Sequence, residues 1–362
     1  MERVPFNPAE LEIAGEYAPM FPGFPGTPYF TTPITPRENN KIAFLDHETP
    51  LWLPCGDYVM FAPKVNPDNI ARCFVFDAVG QTPDEKQAVA DNGFKDMFGI
   101  EWVYVPTAGG SMVKPGNPTV EDANDLADVV KWPNIEEWDW EASKEANKDF
   151  VAGNRSVQGW FLNGLFERLI SFMDFENAIV ALIDEDQKEA VHAFFAGLCD
   201  LYEKIFDKYI ECYGMDWLFF HDDWGSQRAP FFSAETCQEM LVPYVKRLVD
   251  YCHSKGVIFE LHSCGSNEPL IPCMIEAGVD IWTPMANIND VPRFYETVEG
   301  NLKYGIYAPA LAPTATEEEV DAAAKAYVEA YTKNGKVISG GGFGTTQAFK
   351  AKVYEYSRKA LN

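Results

Sequence analysis

From residue 217 onward the chain alternates between short apolar runs and amphipathic helices, and that rhythm restricts the fold class sharply. Trp217–His221, Val257–His262, Asp280–Pro284, Lys303–Tyr307 and Lys336–Ser339 read as strands. Between them lie helical stretches at Ser233–Lys255, around Pro269–Ala277, at Val291–Val298 and at Thr316–Lys333, and a further helix follows the last strand. Ser233 is placed to cap its helix, and Thr316 with Glu319 forms a capping box. Strands joined by crossover helices pair in parallel. Upstream, Ser156–Leu162 reads as a strand, Leu165–Met173 as a helix, and Gln187–Tyr213 as a long amphipathic helix ending at Gly214. The number of units predicts an α/β fold, a distorted (β/α)8 TIM barrel rather than an open sheet.

Residues 1–40 do not share the rhythm. Prolines, glycines and aromatics crowd Phe21–Phe30, which rules out continuous helix and makes a poor flexible linker. An N-terminal arm packed on the body is predicted. In a sharper version, the arm covers the site or lies over a partner subunit in a homodimer. Residues 41–362 then form a single TIM-barrel catalytic domain. Within it, Tyr58–Ala62 and Cys73–Phe76 look like strands, Pro83–Ala90 like a helix, and residues 119–153 like acidic helix. The turn Ala108–Ser111 is glycine-rich but matches neither a P-loop nor a dinucleotide fingerprint.

The formal net charge of −26 argues against nucleic acid and anionic membranes as partners. Eight scattered cysteines without a CxxC pair read as reduced thiols in a cytoplasm. Residues 1–15 show no signal-peptide pattern, and no run is apolar and long enough to span a bilayer.

Two strand ends carry the chemistry. Ile258–Ser263 runs into Cys264-Gly265, and alternation along a strand puts Glu260 and His262 on one face. Carboxylate, imidazole and thiol are zinc-ligand types. Trp217–Phe220 likewise runs into His221-Asp222-Asp223-Trp224-Gly225. Two buried strands ending in ionisable residues suggest one shared site at the C-terminal strand ends, with His221, Asp222 and Asp223 as candidate catalytic groups. Asp223 has the parity of His221 if the strand continues, whereas an aspartate just past a strand also suits a helix cap.

Three stretches resemble the uroporphyrinogen decarboxylase superfamily, and within it the corrinoid-dependent methyltransferase branch. They are Asn163-Gly164-Leu165-Phe166-Glu167 with Met173–Glu176, His221–Gln227 continuing to Tyr244, and Leu261–Gly265 continuing to Asp280. The resemblance implies a TIM barrel and a zinc bound by a His-x-Cys pair, here His262 and Cys264, plus a distal cysteine. That distal position falls in Ser339–Gly344, which has no cysteine. Glu260 is then the first candidate for the missing ligand, His221 the second and Cys273 the third. The arginines with which the decarboxylases hold porphyrinogen carboxylates have no counterpart in Pro50–Asp57, which argues against that activity.

The function this resemblance implies is methyl transfer from a small methoxylated, aromatic substrate to the cobalt(I) of a separate corrinoid protein, in the manner of an O-demethylase component. Zinc would activate the substrate, and the cobalamin would belong to the partner, since the Asp-x-His-x-x-Gly pattern of corrinoid domains is absent. A harder ligand set without a third thiolate suits an oxygen leaving group. Asn163, Trp160, Trp224 and Tyr307 are the candidate substrate contacts. The alternatives are a zinc-dependent methylcobamide:thiol methyltransferase, a metal-free decarboxylase or lyase using Asp222 or Asp223, and a non-catalytic binding protein on the same fold.

Overall fold

The computed structural model describes residues 4–19, 26–107, 110–312, 314–342 and 345–362. Seven strands form one parallel sheet among these residues: β1 (Tyr58–Phe61), β2 (Ser156–Phe161), β3 (Trp217–His221), β4 (Ile258–Ser263), β5 (Ile281–Pro284), β6 (Lys303–Tyr307) and β7 (Ser339–Gly341). They pair in sequence order, from β1 next to β2 through to β6 next to β7. A parallel bridge between Cys55 and Gly340 joins the two edges, with Gly56 N donating to Gly340 O at 3.0 Å and Gly340 N to Pro54 O at 3.0 Å. The sheet therefore curls into the TIM-type barrel that the alternation predicts, distorted at the β7–β1 seam.

The crossover helices include α1 (Leu165–Ala181) and α2 (Lys188–Tyr213). Both end as local chemistry directs. Gly214, at φ 68°, closes α2 in the left-handed conformation that glycine adopts cheaply. Within α1 the helix is broken at Asp174 (φ 59°), so its regular part ends at Met173, where the sequence places the end.

Several local expectations are corrected. The single helix over Ser233–Lys255 is two, Ala234–Met240 and Val242–Ser254, because Pro243 lacks the N–H that would bond back across Leu241. Cys73–Phe76 is not a strand: Cys73 has φ 61° and only Phe76 bridges, antiparallel, to Ala62. The last strand starts at Ser339 rather than Lys336. Residues 119–153 hold only short helices, Leu126–Val129 and Trp140–Asn147. Phe94–Lys95, Glu101–Val105 and Gly110–Val113 form a separate antiparallel sheet. Ala108 and Gly109 of the glycine turn lie outside the described residues, as do Phe21–Pro25 of the arm and Phe343–Gly344 after β7.

The arm packs on the body. Ile13–Tyr17 and Thr27–Phe30 form an antiparallel hairpin, and the helix Pro36–Phe44 spans the boundary drawn at residue 40. Arg358 Nε, on the last helix, donates to Glu10 Oε2 at 2.8 Å, which ties the first turn of the chain to the last. No helix among the described residues is long and apolar enough to cross a membrane.

Candidate metal centre and aromatic cavity

Register decides what meets at the strand ends. His221 pairs with His262 across β3 and β4, and Thr283 of β5 pairs with His262 on the other side. Residues in register on neighbouring strands point to the same face at the same height. The imidazoles of His221 and His262 therefore come together inside the barrel at its C-terminal end. Past the strands, Asp223 and Cys264 bend back toward them. Ligand atoms of His221, Asp223, His262 and Cys264 all lie within 4.8 Å of one another.

The turn after β4 is tight. Gly265 has φ +97°, and a Cβ there would fall 2.2 Å from the Gly225 carbonyl carbon, so only glycine lets the two strand-end loops approach. This approach lets Cys264 N donate to Asp223 Oδ1 at 2.7 Å.

His221 is held from behind. His221 Nδ1 lies 2.7 Å from Glu167 Oε2 in the first turn of α1, which assigns the proton to Nδ1 and turns Nε2 toward the cluster, 3.8 Å from Asp223 Oδ1. Arg72 Nη1 donates to the other oxygen of Glu167 at 3.2 Å. The His262 ring stacks on Phe219 at 5.4 Å between centroids, with its Nε2 3.3 Å from Cys264 Sγ.

The charges fit the geometry. Burial opposes a proton on His221, but Glu167 and Asp223 outweigh it and raise its pKa. Burial and the neighbouring His221 push His262 down to about 4, so it is neutral, as a metal-binding imidazole must be. Burial raises Asp223, yet His221, His262 and the Cys264 amide together bring it below the usual carboxylate range. Burial, then Asp223, raise the Cys264 thiol. Two imidazole nitrogens, one carboxylate and one thiol are a donor set that suits zinc, and any three of them meet the ligand number of a site that keeps one position for substrate.

The first-choice third ligand is not in this group. Glu260 points to the same interior but one layer lower, where its carboxylate accepts from Gln158 Nε2 (2.7 Å), Trp217 Nε1 (2.8 Å) and Thr283 Oγ1 (2.5 Å). It ties together β2, β3, β4 and β5. Its place beside His262 and Cys264 is taken by His221 and Asp223. Cys273 is elsewhere, buried with its Sγ 3.6 Å from Ala234 O.

Asp222 is also corrected. Opposite parity turns it out of the barrel, where Oδ1 accepts from Glu167 N (2.9 Å) and Oδ2 from Phe166 N (3.2 Å) and Trp224 Nε1 (2.9 Å). It caps α1, and burial followed by the nearby Glu167 pushes it up to about 7. A Cβ on Gly164 would lie 2.4 Å from Asp222 Cβ, which explains the glycine before the helix. Asn163 is fully buried and donates to Asp68 Oδ2 at 3.0 Å, next to the Arg168–Asp68 and Arg168–Asp96 ion pairs. Trp224 is fully buried in the core. Neither lines the cavity.

That cavity holds about 500 Å³ and is lined by Trp160 and Tyr307 as well as by His221 and His262. Trp160 stacks on Phe219 at 4.4 Å, so an aromatic wall leads from the cavity to the two histidines. The arm contributes Tyr17, Tyr29 and Phe30 to the lining. Glu167 has no role in the sequence pattern beyond its place in a matching stretch, although an acidic residue in a first helical turn beside a strand end is a readable signal. Arg72 carried none: it lies 149 residues from the histidine it approaches.

The sequence pattern of the family described as uroporphyrinogen decarboxylase (URO-D) matches residues 97–358. No curated protein matches the sequence. Among solved structures, a methyltransferase from Methanosarcina mazei is similar over 90% of this chain and 98% of that one, with a TM-score of 0.57 and 14% identity. A D-psicose 3-epimerase in the presence of D-fructose aligns over 66% of this chain and 85% of its own at a TM-score of 0.31 and 12% identity, too distant to argue from. With the family pattern covering well over half of its length on a barrel of this type, the chain belongs to the uroporphyrinogen decarboxylase (URO-D) family.

Proposed function

We propose that this protein is a methyltransferase that moves the methyl group of a small methoxylated aromatic substrate to the cobalt(I) of a separate corrinoid protein. The observation that carries the reading is the convergence of His221, Asp223, His262 and Cys264 at the end of a cavity walled by aromatic rings. Likeness in fold to a Methanosarcina methyltransferase is consistent with it. Three of His221, Asp223, His262 and Cys264 would hold zinc, which leaves a position for the substrate. The chemistry such an ion would supply is Lewis acidity toward the ether oxygen of the substrate.

The chain's own residues do the rest. Glu167 and Arg72 hold His221 at a fixed rotation, so its Nε2 stays aimed at the site. Trp160 and Phe219, stacked face to face in the cavity lining, give a substrate ring an apolar aromatic surface to pack against. Glu260 and its three donors lock the layer beneath and keep the strand ends in place. With a single thiol, the donor set favours an oxygen leaving group over a thiolate substrate. Asp222 is engaged by the helix start and by Trp224, which removes one of the two candidate acids of a metal-free lyase.

The test is zinc analysis of the purified protein together with a methyl-transfer assay. A methoxyarene of the guaiacol type should lose its methyl group only when a reduced corrinoid protein is added, and no thiol should be methylated from methylcobalamin. Thiol methylation without ether cleavage would move the protein to the thiol-activating branch. A metal-free protein whose Cys264→Ser variant keeps full activity would favour the lyase.

A further inference from the structure

Among the described residues, a cation without a counter-charge stands at the other end of the cavity. Arg155 immediately precedes β2 and lines the cavity, although it is only 5% exposed. Its guanidinium lies over the Tyr17 ring, 4.3 Å from the centroid. Nε and Nη2 are buried with no hydrogen-bond acceptor among the described residues. The acidic groups in this part of the fold are engaged. Asp216 faces Arg37 at 3.3 Å and accepts from Val157 N at 2.7 Å. Asp57 accepts from Trp52 Nε1 at 3.1 Å. A second cation, Lys350, lines the same end, and its Nζ donates to the carbonyl of Gly56 at 3.1 Å.

Buried charges in proteins are ordinarily paired, because removing an ion from water is costly without compensation. Burial here pulls Arg155 down to about 10. Each remaining donor of a buried guanidinium calls for an acceptor, and the described residues supply none. The acceptor that fits a planar fork of N–H groups is a carboxylate or a sulfonate.

We propose that Arg155, supported by Lys350, binds a single anionic group at one end of an elongated aromatic ligand that fills the cavity. Calling that ligand the substrate rests on the methyltransferase reading above. The spacing sets its shape. Arg155 lies six residues before Phe161, the level at which β2 pairs next to His221. At a rise of about 3.3 Å per residue, roughly 20 Å of strand separates the anion end from the histidines. A substrate bridging both ends is therefore an aromatic monoacid more than one ring long, with the methyl group remote from the acid. The net charge of −26 does not oppose this. Surface charges are screened over about 10 Å in salt, whereas the cations lining this end act at contact. With the Asp57 carboxylate already facing Lys350, the charge left over at this end is that of one cation, which one anion neutralises.

Binding of two matched fluorescent probes tests the subsite: anilinonaphthalene sulfonate, an aromatic anion, and phenylnaphthylamine, the same rings without the sulfonate. The protein as isolated should bind the anion about tenfold more tightly than the amine, a gap in the range of one charge-assisted contact. Arg155→Met should erase that preference and leave amine binding within about twofold, and Arg155→Lys should retain part of it. An unchanged preference in folded Arg155→Met overturns the proposal. Should that variant fail to fold, equal affinity of the unmodified protein for both probes overturns it too, and a reduced preference in Lys350→Met supports it. These readouts involve no methyl transfer. Preference for the anion that depends on Arg155 supports the subsite even where no demethylation is found, and its absence overturns the subsite even where demethylation is found.

Discussion

His221 and His262 face each other across adjacent parallel strands with ring centroids 4.8 Å apart and planes inclined by 32°. Two imidazoles this close cannot both be charged at low cost, and their surroundings push them apart. Glu167 and Asp223 favour the proton on His221, whereas burial and His221 itself strip it from His262. A divalent cation between them would remove the conflict, because both rings would then bind as neutral ligands. Asp223 and Cys264 complete the set from the two loops that Gly265 allows to touch.

Cys264→Ser should lower zinc affinity by at least tenfold while the protein melts cooperatively and keeps its fold, since Cys264 is partly exposed on a turn and supplies no core contact that serine cannot fill. Zinc content after dialysis against a graded chelator, paired with a thermal melt, measures both. Full zinc retention would remove Cys264 from the ligand set.

Glu167→Gln should weaken zinc binding about 10–100-fold without touching any ligand, the range found when a group behind a metal-bound histidine is changed. The carboxylate now fixes the proton on Nδ1 of His221 and is itself held by Arg72. Chelator competition on the variant gives the number, and affinity equal to that of the parent would mean that His221 is not a ligand.

Asp222→Ala should act on stability alone. It removes the acceptor for Phe166 N, Glu167 N and Trp224 Nε1, all buried or partly buried, and a loss of about 1–3 kcal/mol follows from unsatisfied groups and a missing helix cap. Urea unfolding should show the loss while zinc content stays at the level of the parent. A selective loss of activity with unchanged stability would return Asp222 to the catalytic groups.

At the opposite end of the barrel, His253 Nε2 lies 2.9 Å from Oδ2 of the fully buried Asp280. The hydrogen bond to Asp280 raises the pKa of His253 above its ordinary 6.5. A raised histidine stabilises the fold fully below its ordinary value, and the contribution fades as pH rises through the raised one. His253→Gln should therefore cost more stability near pH ~5.5 than near pH ~8.5. Equal losses at both pH values, read from denaturant midpoints, would show that the charge of His253 does not contribute.

The class of fold was legible in the sequence because it rests on local periodicity. Apolar runs of strand length, helices of amphipathic spacing and caps such as Thr316 with Glu319 are properties of neighbours, and the barrel follows once they alternate. The same locality made His262 and Cys264 recognisable as a pair and gave Asp223 the parity of His221. Elsewhere parity ran out. It put Glu260 on the face of His262 correctly, yet it carries no information about depth, and three donors from Gln158, Trp217 and Thr283 on neighbouring strands claim that carboxylate one layer below the site. Nor could it weigh Asp222 as a cap against Asp222 as an acid, since the amides it caps lie 55 and 56 residues away. The meeting of His221 with His262, the bracing by Glu167 and Arg72, and the unpaired charge of Arg155 under the arm were decided by tertiary structure. Each depends on register or contact between segments far apart in the chain, and only the closed sheet sets those.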